Sequence, residues 1–404
     1  MQHKSLLRTT IDMIKKEVKV IQLIYNFEIE GGGGGITRFA VELSKCISKY
    51  VSISIISLGD FGSPFESQRI KTLNDFGIES YVPIKWNKDN PYKSFLRSYE
   101  RIKDYLSGTN TKLILHSHSE FTDIVALFLK IQKKVNYIIR TCHYGYKHEW
   151  KNKPIRRILF TNLLYPIYYN YEIGVNKSIR QRLDNRFLAK ILKKKSLLIP
   201  EAINLNDYSN SQINNVQKIY KKKLGIAKDT FIIGSVGRLT EQKGHKYLLM
   251  AAQKIAKENS NVHFMLVGDG PLRPDLEALS NQLGIKHFVS FLGRRSDIKE
   301  LLQCFDIFVL PSLWEGLPIS LLESMASKVP IVTTSIAGCT DIIENGKNGI
   351  LVPPRDPQSL YEALMELMKS QSKRIFLSNN AYNTVQKFSI DNVANLYHEI
   401  YFSL

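Results

Sequence analysis

The sequence predicts an α/β protein built from two Rossmann-like domains with parallel sheets, and three observations point there. A chain of 404 residues is longer than one ordinary core requires and suits two domains. Short β-branched runs alternate with helical stretches in two separate series, the pattern of parallel sheets joined by crossover helices. Glycine-bearing turns follow the strands in both series, where backbone must turn sharply or approach a ligand.

In chain order, the first 17 residues precede any strand signal and read as a loosely docked helix. Residues 18–24, Val-Lys-Val-Ile-Gln-Leu-Ile, read as a buried strand. The glycine run Gly31 to Gly35 follows, and apolar residues from Ile36 to Leu43 then recur at helical spacing. Strand signals return at 51–57 and 112–116. A polar, Asn- and Lys-rich segment over 200–230 reads as a linker. The second series has strands at 231–237, 263–268, 307–310 and 331–334. The stretch 389–404 has helical spacing in Ile390, Val393, Leu396, Tyr397 and Ile400. The expected division is therefore 1–205, 206–388 and a final helical stretch over 389–404.

Composition narrows the function classes. Hydrophobic and charged fractions of 44% and 23% are those of a globular protein. The absence of a long apolar run, and the early lysines Lys15, Lys16 and Lys19, predict a cytoplasmic chain without a signal peptide. Cys46, Cys142, Cys304 and Cys339 are scattered without metal-ligand spacing. The net charge of +19 is uneven: residues 1–200 hold 34 Lys and Arg against 17 Asp and Glu, while residues 201–404 hold 22 against 20. A field confined to one half fits an anionic membrane or acceptor as well as nucleic acid. The basic, aromatic segment from Lys151 to Tyr171 has what a membrane-surface element needs, and predicts peripheral contact with an anionic membrane.

Chemistry concentrates in the second half. Glu315-Gly316-Leu317-Pro318-Ile319-Ser320-Leu321-Leu322-Glu323 follows a strand and opens a helix. The start of a helix offers unpaired N–H groups and a positive dipole end to a diphosphate, and a carboxylate further along can accept two ribose hydroxyls. Glu323 is placed as that ribose ligand, and Glu315 as a ligand for hydroxyls of a transferred sugar. Two acids on a helix would be unremarkable alone. The turn Gly237-Arg238-Leu239-Thr240-Glu241-Gln242-Lys243-Gly244 adds two cations at another strand end. A departing diphosphate needs its charge neutralised, and with no Asp-x-Asp pair to hold a metal, Arg238 and Lys243 are expected to do it. Gly268, in Val267-Gly268-Asp269-Gly270, allows close approach of a base, and Arg294 could reach its edge.

With these motifs in place, the second half resembles the retaining glycosyltransferases of family 4, which have the GT-B fold. The resemblance runs from Phe231 to Pro357 and includes Gly346-Lys347-Asn348-Gly349-Ile350-Leu351-Val352-Pro353. It implies transfer of a hexose from a nucleotide-diphosphate sugar, UDP-linked, to a glycan or lipid-linked saccharide in bacterial surface-polysaccharide synthesis, with no cofactor or metal. By the same resemblance 1–205 is the acceptor-binding domain, 206–388 the nucleotide-sugar-binding domain and 389–404 a helix returning to the first; Arg238 and Lys243 bind the diphosphate, with Gly35, Gly237, Gly316 and Leu317 lining the donor. Glu315 contacts the sugar and Glu323 the ribose. His116-Ser117-His118 stands where the family places its active-site histidine; His118 is the first choice, His116 the second and His143 a third. The sequence departs from the family at Glu201-Ala202-Ile203-Asn204 and at Thr340-Asp341. Rival readings are a nucleotide-sugar epimerase of the same shape, a catalytically inert sugar-nucleotide binder, and a nucleic-acid-binding protein, which would leave Glu315 and Glu323 unexplained.

Overall fold

A computed structural model describes residues 18–27, 34–62, 66–109, 111–144, 153–208, 219–223 and 225–404. The first 17 residues, most of the glycine run, residues 151–152 and the middle of the 200–230 segment lie outside them.

The chain forms two compact units. The first contains a seven-stranded sheet of β1 (Val18–Ile24), β2 (Ser52–Ser57), β3 (Glu79–Tyr81), β4 (Lys112–Ser117), β5 (Tyr137–Cys142), β6 (Tyr171–Gly174) and β7 (Leu197–Leu198). Its strand order is β3-β2-β1-β4-β5-β6-β7, and every pairing is parallel. Strands this rich in Ile, Leu and Val must be covered on both faces. Helices α1 (Gly35–Ile47) and α2 (Glu120–Ile131) are among those in this unit, α1 burying Phe39, Ala40, Leu43 and Ile47 at helical spacing. A core of Ile21, Leu23, Ile56, Leu115, Val125, Leu129 and Ile138 results. The helix Ile390–Phe402 belongs to this unit although it follows the second unit in sequence.

The second unit, Ala202–Ser389 for the most part, holds a six-stranded parallel sheet. Its strands are β8 (Phe231–Val236), β9 (Val262–Val267), β10 (Val289–Phe291), β11 (Ile307–Leu310), β12 (Ile331–Thr334) and β13 (Ile350–Val352). They run in the order β10-β9-β8-β11-β12-β13. Here α3 (His245–Glu258) follows β8 and α4 (Ile319–Ala326) follows β11; the returning helix Ile390–Phe402 becomes α5. Ile233, Phe264, Val309 and Val332 pack against Leu249 and Ile255 of α3.

Each sheet reverses its strand order once, between β1 and β4 in the first unit and between β8 and β11 in the second. Loops leaving such neighbouring strands diverge to opposite faces and open a crevice at the carboxyl ends, the general ligand position of open α/β sheets. One detail differs from the sequence expectation. Strand β4 continues through Ser117, so His116 lies within it and His118 is the first residue beyond.

Gly244 shows how tightly the second crevice is built. It ends a turn of 3-10 helix with φ of 64°, and a Cβ there would lie 2.1 Å from the Pro311 carbonyl oxygen. A Gly244→Ala variant combines positive-φ strain with a backbone clash. It is expected to lose roughly 2–4 kcal/mol of stability, read as a lower unfolding midpoint of this unit in denaturant.

Candidate functional site

At the crevice of the second unit, the loops after β8 and β11 are bonded to each other. The Leu313 N–H donates to the Gln242 carbonyl at 2.7 Å. The Gln242 side-chain amide donates to the Trp314 carbonyl at 3.0 Å and to Glu315 Oε2 at 3.1 Å. Lys243 Nζ lies 2.5 Å from Glu315 Oε1, which also accepts the Ser312 hydroxyl at 2.6 Å. Both charged side chains are largely shielded, at 13% and 6% exposure. Removing two charges from water costs free energy that close contact and the added hydrogen bonds must offset. The pair thus satisfies Lys243 and aims Glu315 at the strand ends.

Two glycines hold this corner. The Gly237 N–H donates to Val267 O at 3.0 Å, fixing the start of the turn that exposes Arg238. Gly338, at φ of 87°, approaches Gly316 so closely that a Cβ would sit 2.0 Å from its carbonyl oxygen. Leu317 is buried, and Pro318 caps α4 with an extended backbone, so the helix begins at Ile319. Beside this, Gly268 pairs with Gly293 through an N–H···O bond of 2.9 Å, which brings the exposed Arg294 next to the end of β9.

Glu323 lies within α4, buried, and its Oε1 accepts the Tyr208 hydroxyl at 2.9 Å. Gln242, Ser312 and Tyr208 are contributors the sequence reading did not single out. The only available signal was position: Gln242 and Ser312 each lie within three residues of a named charge.

The crevice of the first unit holds a hydrogen-bonded cluster of buried side chains. His118 Nε2 meets Gln22 Oε1 at 2.6 Å and Nδ1 meets His143 Nε2 at 3.2 Å. His143 Nδ1 lies 2.6 Å from Glu201 Oε1. The Gln22 amide donates to the Tyr401 hydroxyl at 2.9 Å, which meets His116 Nδ1 at 2.6 Å. His116 Nε2 meets Thr141 Oγ1 at 2.7 Å, and Thr141 meets the Tyr397 hydroxyl at 2.9 Å. With Gln22 in this orientation, His118 Nε2 carries a hydrogen and Nδ1 accepts from His143. One more proton then sits between His143 and Glu201, in a pair neutral overall. All three sequence candidates therefore belong to one network. Both ring nitrogens of His118 are engaged, so His118 meets a substrate only by exchanging one of these bonds. Gly35 is the first residue of α1.

Burial drives the His116 and His118 pKa values well below the ordinary histidine range, with neighbouring histidines adding to it. His245 at the start of α3 is pushed down to about 3 by burial and by Lys243. These rings stay neutral in the folded protein while the unfolded chain protonates them near pH ~6.5. Their stabilisation is complete above that pH and is lost as pH falls toward the depressed values. Between pH 6.5 and 5, thermal unfolding midpoints should drop, each histidine contributing up to about 1.4 kcal/mol per pH unit. A His245→Phe variant should show a shallower dependence in the second unit.

Comparison with known proteins agrees with this architecture. Residues 216–384 match the family described as glycosyl transferases group 1. Over 359 residues the chain is 28% identical to an uncharacterized glycosyltransferase of Methanocaldococcus jannaschii, covering 85% of this chain and 87% of that one. It is 28% identical to the Escherichia coli UDP-Gal:alpha-D-GlcNAc-diphosphoundecaprenol alpha-1,3-galactosyltransferase, covering 70% and 74%. The Anabaena protein HepE, solved with UDP and glucose, superposes with a TM-score of 0.76 at 17% identity over 96% of this chain and all of that one. Sucrose-phosphate synthase from Thermosynechococcus elongatus gives 0.79 at 18%, over 95% and 98%. With two parallel-sheet units and a group 1 domain in the second, the protein is a glycosyltransferase of the GT-B fold.

Proposed function

We propose that the protein is a retaining, family 4 type hexosyltransferase that uses a UDP-sugar and extends a glycan or lipid-linked saccharide in bacterial surface-polysaccharide synthesis. The observation that carries the donor side is the Lys243–Glu315 pair at the strand-order reversal of the second unit. An arriving diphosphate offers Lys243 a better-charged partner than Glu315, and Arg238 on the same turn adds a planar clasp. Glu315, released, accepts hydroxyls of the sugar. Gly237, Gly316 and Leu317 present backbone to the phosphates, Gly268 and Arg294 face the base, and Glu323 takes the ribose in exchange for Tyr208. Gly35 lies on the phosphate side in this reading. Fixed cations and backbone N–H groups stabilise the leaving UDP without a metal, and His118, oriented by its network, is the first unit's candidate for a catalytic role. The HepE complexes with UDP and the galactosyltransferase relative support a UDP-linked donor, and the undecaprenol-linked acceptor in that relative's name supports a lipid-linked one.

Peripheral attachment to an anionic membrane fits this acceptor class. The helical run 154–168 leaves Ile158, Leu159, Leu163 and Ile167 exposed and Ile155 at 80% exposure. It packs against the helix Phe187–Ile191, where Phe187 is 80% exposed and Ile191 projects as well. Between 153 and 198 there are eleven Lys and Arg against two carboxylates, Glu172 and Asp184. Apolar side chains ringed by cations are the composition of an interfacial element. Among the described residues, no helix is long and apolar enough to cross a membrane.

Lys243→Ala should reduce kcat by roughly 100- to 1,000-fold, and Glu323→Ala should weaken UDP binding with little effect on folding. Turnover in excess chelator is the accompanying control: loss restored by magnesium would remove the metal-free reading. In co-sedimentation with phosphatidylglycerol vesicles, an Ile155→Glu, Phe187→Glu double variant should bind at least about tenfold more weakly, and binding of the unaltered protein should fall with salt.

A further inference from the structure

The crevice of the first unit has a second wall that the histidine network does not use. Tyr25 follows β1 and Phe121 lies four residues beyond the end of β4, on either side of the strand-order reversal, with ring centroids 5.8 Å apart. Tyr25 also meets Phe61 at 4.8 Å and Trp86 at 6.0 Å, and Phe61 stacks on Trp86 at 4.8 Å and 20°. Phe95 extends the group to Phe121 at 6.0 Å. Phe121 is exposed and the others are half-buried, with Tyr25, Trp86 and Phe95 packed on the core beneath, so this is a partly open wall of rings.

Polar groups hold the wall in place. The buried Glu66 carboxylate accepts the Phe27 and Phe61 backbone N–H groups at 3.1 Å each, joining the loops after β1 and β2. The Asp60 N–H donates to Ile84 O at 2.8 Å, and the Trp86 N–H returns to Asp60 O at 2.7 Å. The rings of Phe61 and Trp86 are therefore positioned by main chain before anything binds, which lowers the entropic cost of binding.

We propose that Tyr25, Phe61, Trp86 and Phe121 form a stacking platform for a pyranose ring of the acceptor. A pyranose has an apolar C–H face that lies flat on aromatic rings, and hydroxyls at its rim that need polar partners. Here Asp60, half-buried beside Phe61 with its Oδ1 accepting the Gly62 N–H at 2.7 Å, supplies a carboxylate at that rim. A long hydrocarbon chain would lay apolar surface against the Asp60 carboxylate and desolvate it, so the platform takes the sugar and not the lipid of an acceptor. The assignment to the acceptor rests on the glycosyltransferase reading.

The test is saturation-transfer NMR on the full chain with methyl glycosides of glucose, galactose and N-acetylglucosamine, and with geranyl phosphate as the lipid probe. Transfer to the ring C–H protons of at least one glycoside is expected. Its dissociation constant should rise about tenfold in Trp86→Ala and in Phe121→Ala, the latter an exposed position that the fold tolerates. UDP binding, followed by thermal shift, should be the same in both variants. No transfer from any glycoside, affinity unchanged in both variants, or binding of geranyl phosphate alone overturns the platform. Failure of UDP to bind the unaltered protein would instead overturn the donor reading and leave a sugar signal at Trp86 standing.

Discussion

The contact on which the second unit's loops depend is the shielded ion pair between Lys243 and Glu315. It joins segments that leave adjacent strands in opposite directions, and nothing in the sheet itself would hold them together. Ser312, Gln242 and the backbone of Leu313 all bond into it or beside it. An ion pair of this kind contributes little to net stability because desolvation consumes most of the Coulomb energy. What it provides is orientation, and charges that an anionic ligand can recruit without first reorganising solvent.

Much of this unit was legible from sequence because its chemistry is local. A cation, a glycine that must adopt positive φ and a strand end fall within eight residues at Gly237–Gly244, and Glu315 begins the segment that leads to α4. The strands were legible too, since runs such as Ile307–Leu310, apolar on both faces, and Ile331–Thr334, wholly β-branched, suit a buried parallel sheet. What could not be read were contacts between distant segments. Tyr208 meets Glu323 across 115 residues, and Gln22 meets Tyr401 across 379. No periodicity encodes such pairings. The rank order of His116, His118 and His143 was equally beyond reach, because the structure answers with a network.

The basic aromatic segment shows a different limit. Its composition marked it as unusual, but only tertiary packing separates the residues turned inward, such as Tyr165 and Tyr169, from those facing solvent, such as Ile155 and Ile167. The neighbouring Phe187 carried no composition signal. It became part of the surface because Arg186 is drawn into the interior, donating to the Thr161 carbonyl and pairing with Glu172.

Helix α5 has a consequence for how the molecule is made. Tyr397 and Tyr401 hydrogen-bond directly to Thr141, His116 and Gln22, so the interior of the first unit includes side chains encoded after the entire second unit. During synthesis the first sheet must persist with His116, Gln22 and Thr141 lacking two phenolic partners until the ribosome has produced the 188 residues between Ala202 and Ser389. The nascent first unit is thus an unfinished half through most of translation, and completion of its polar interior becomes a late event in biogenesis.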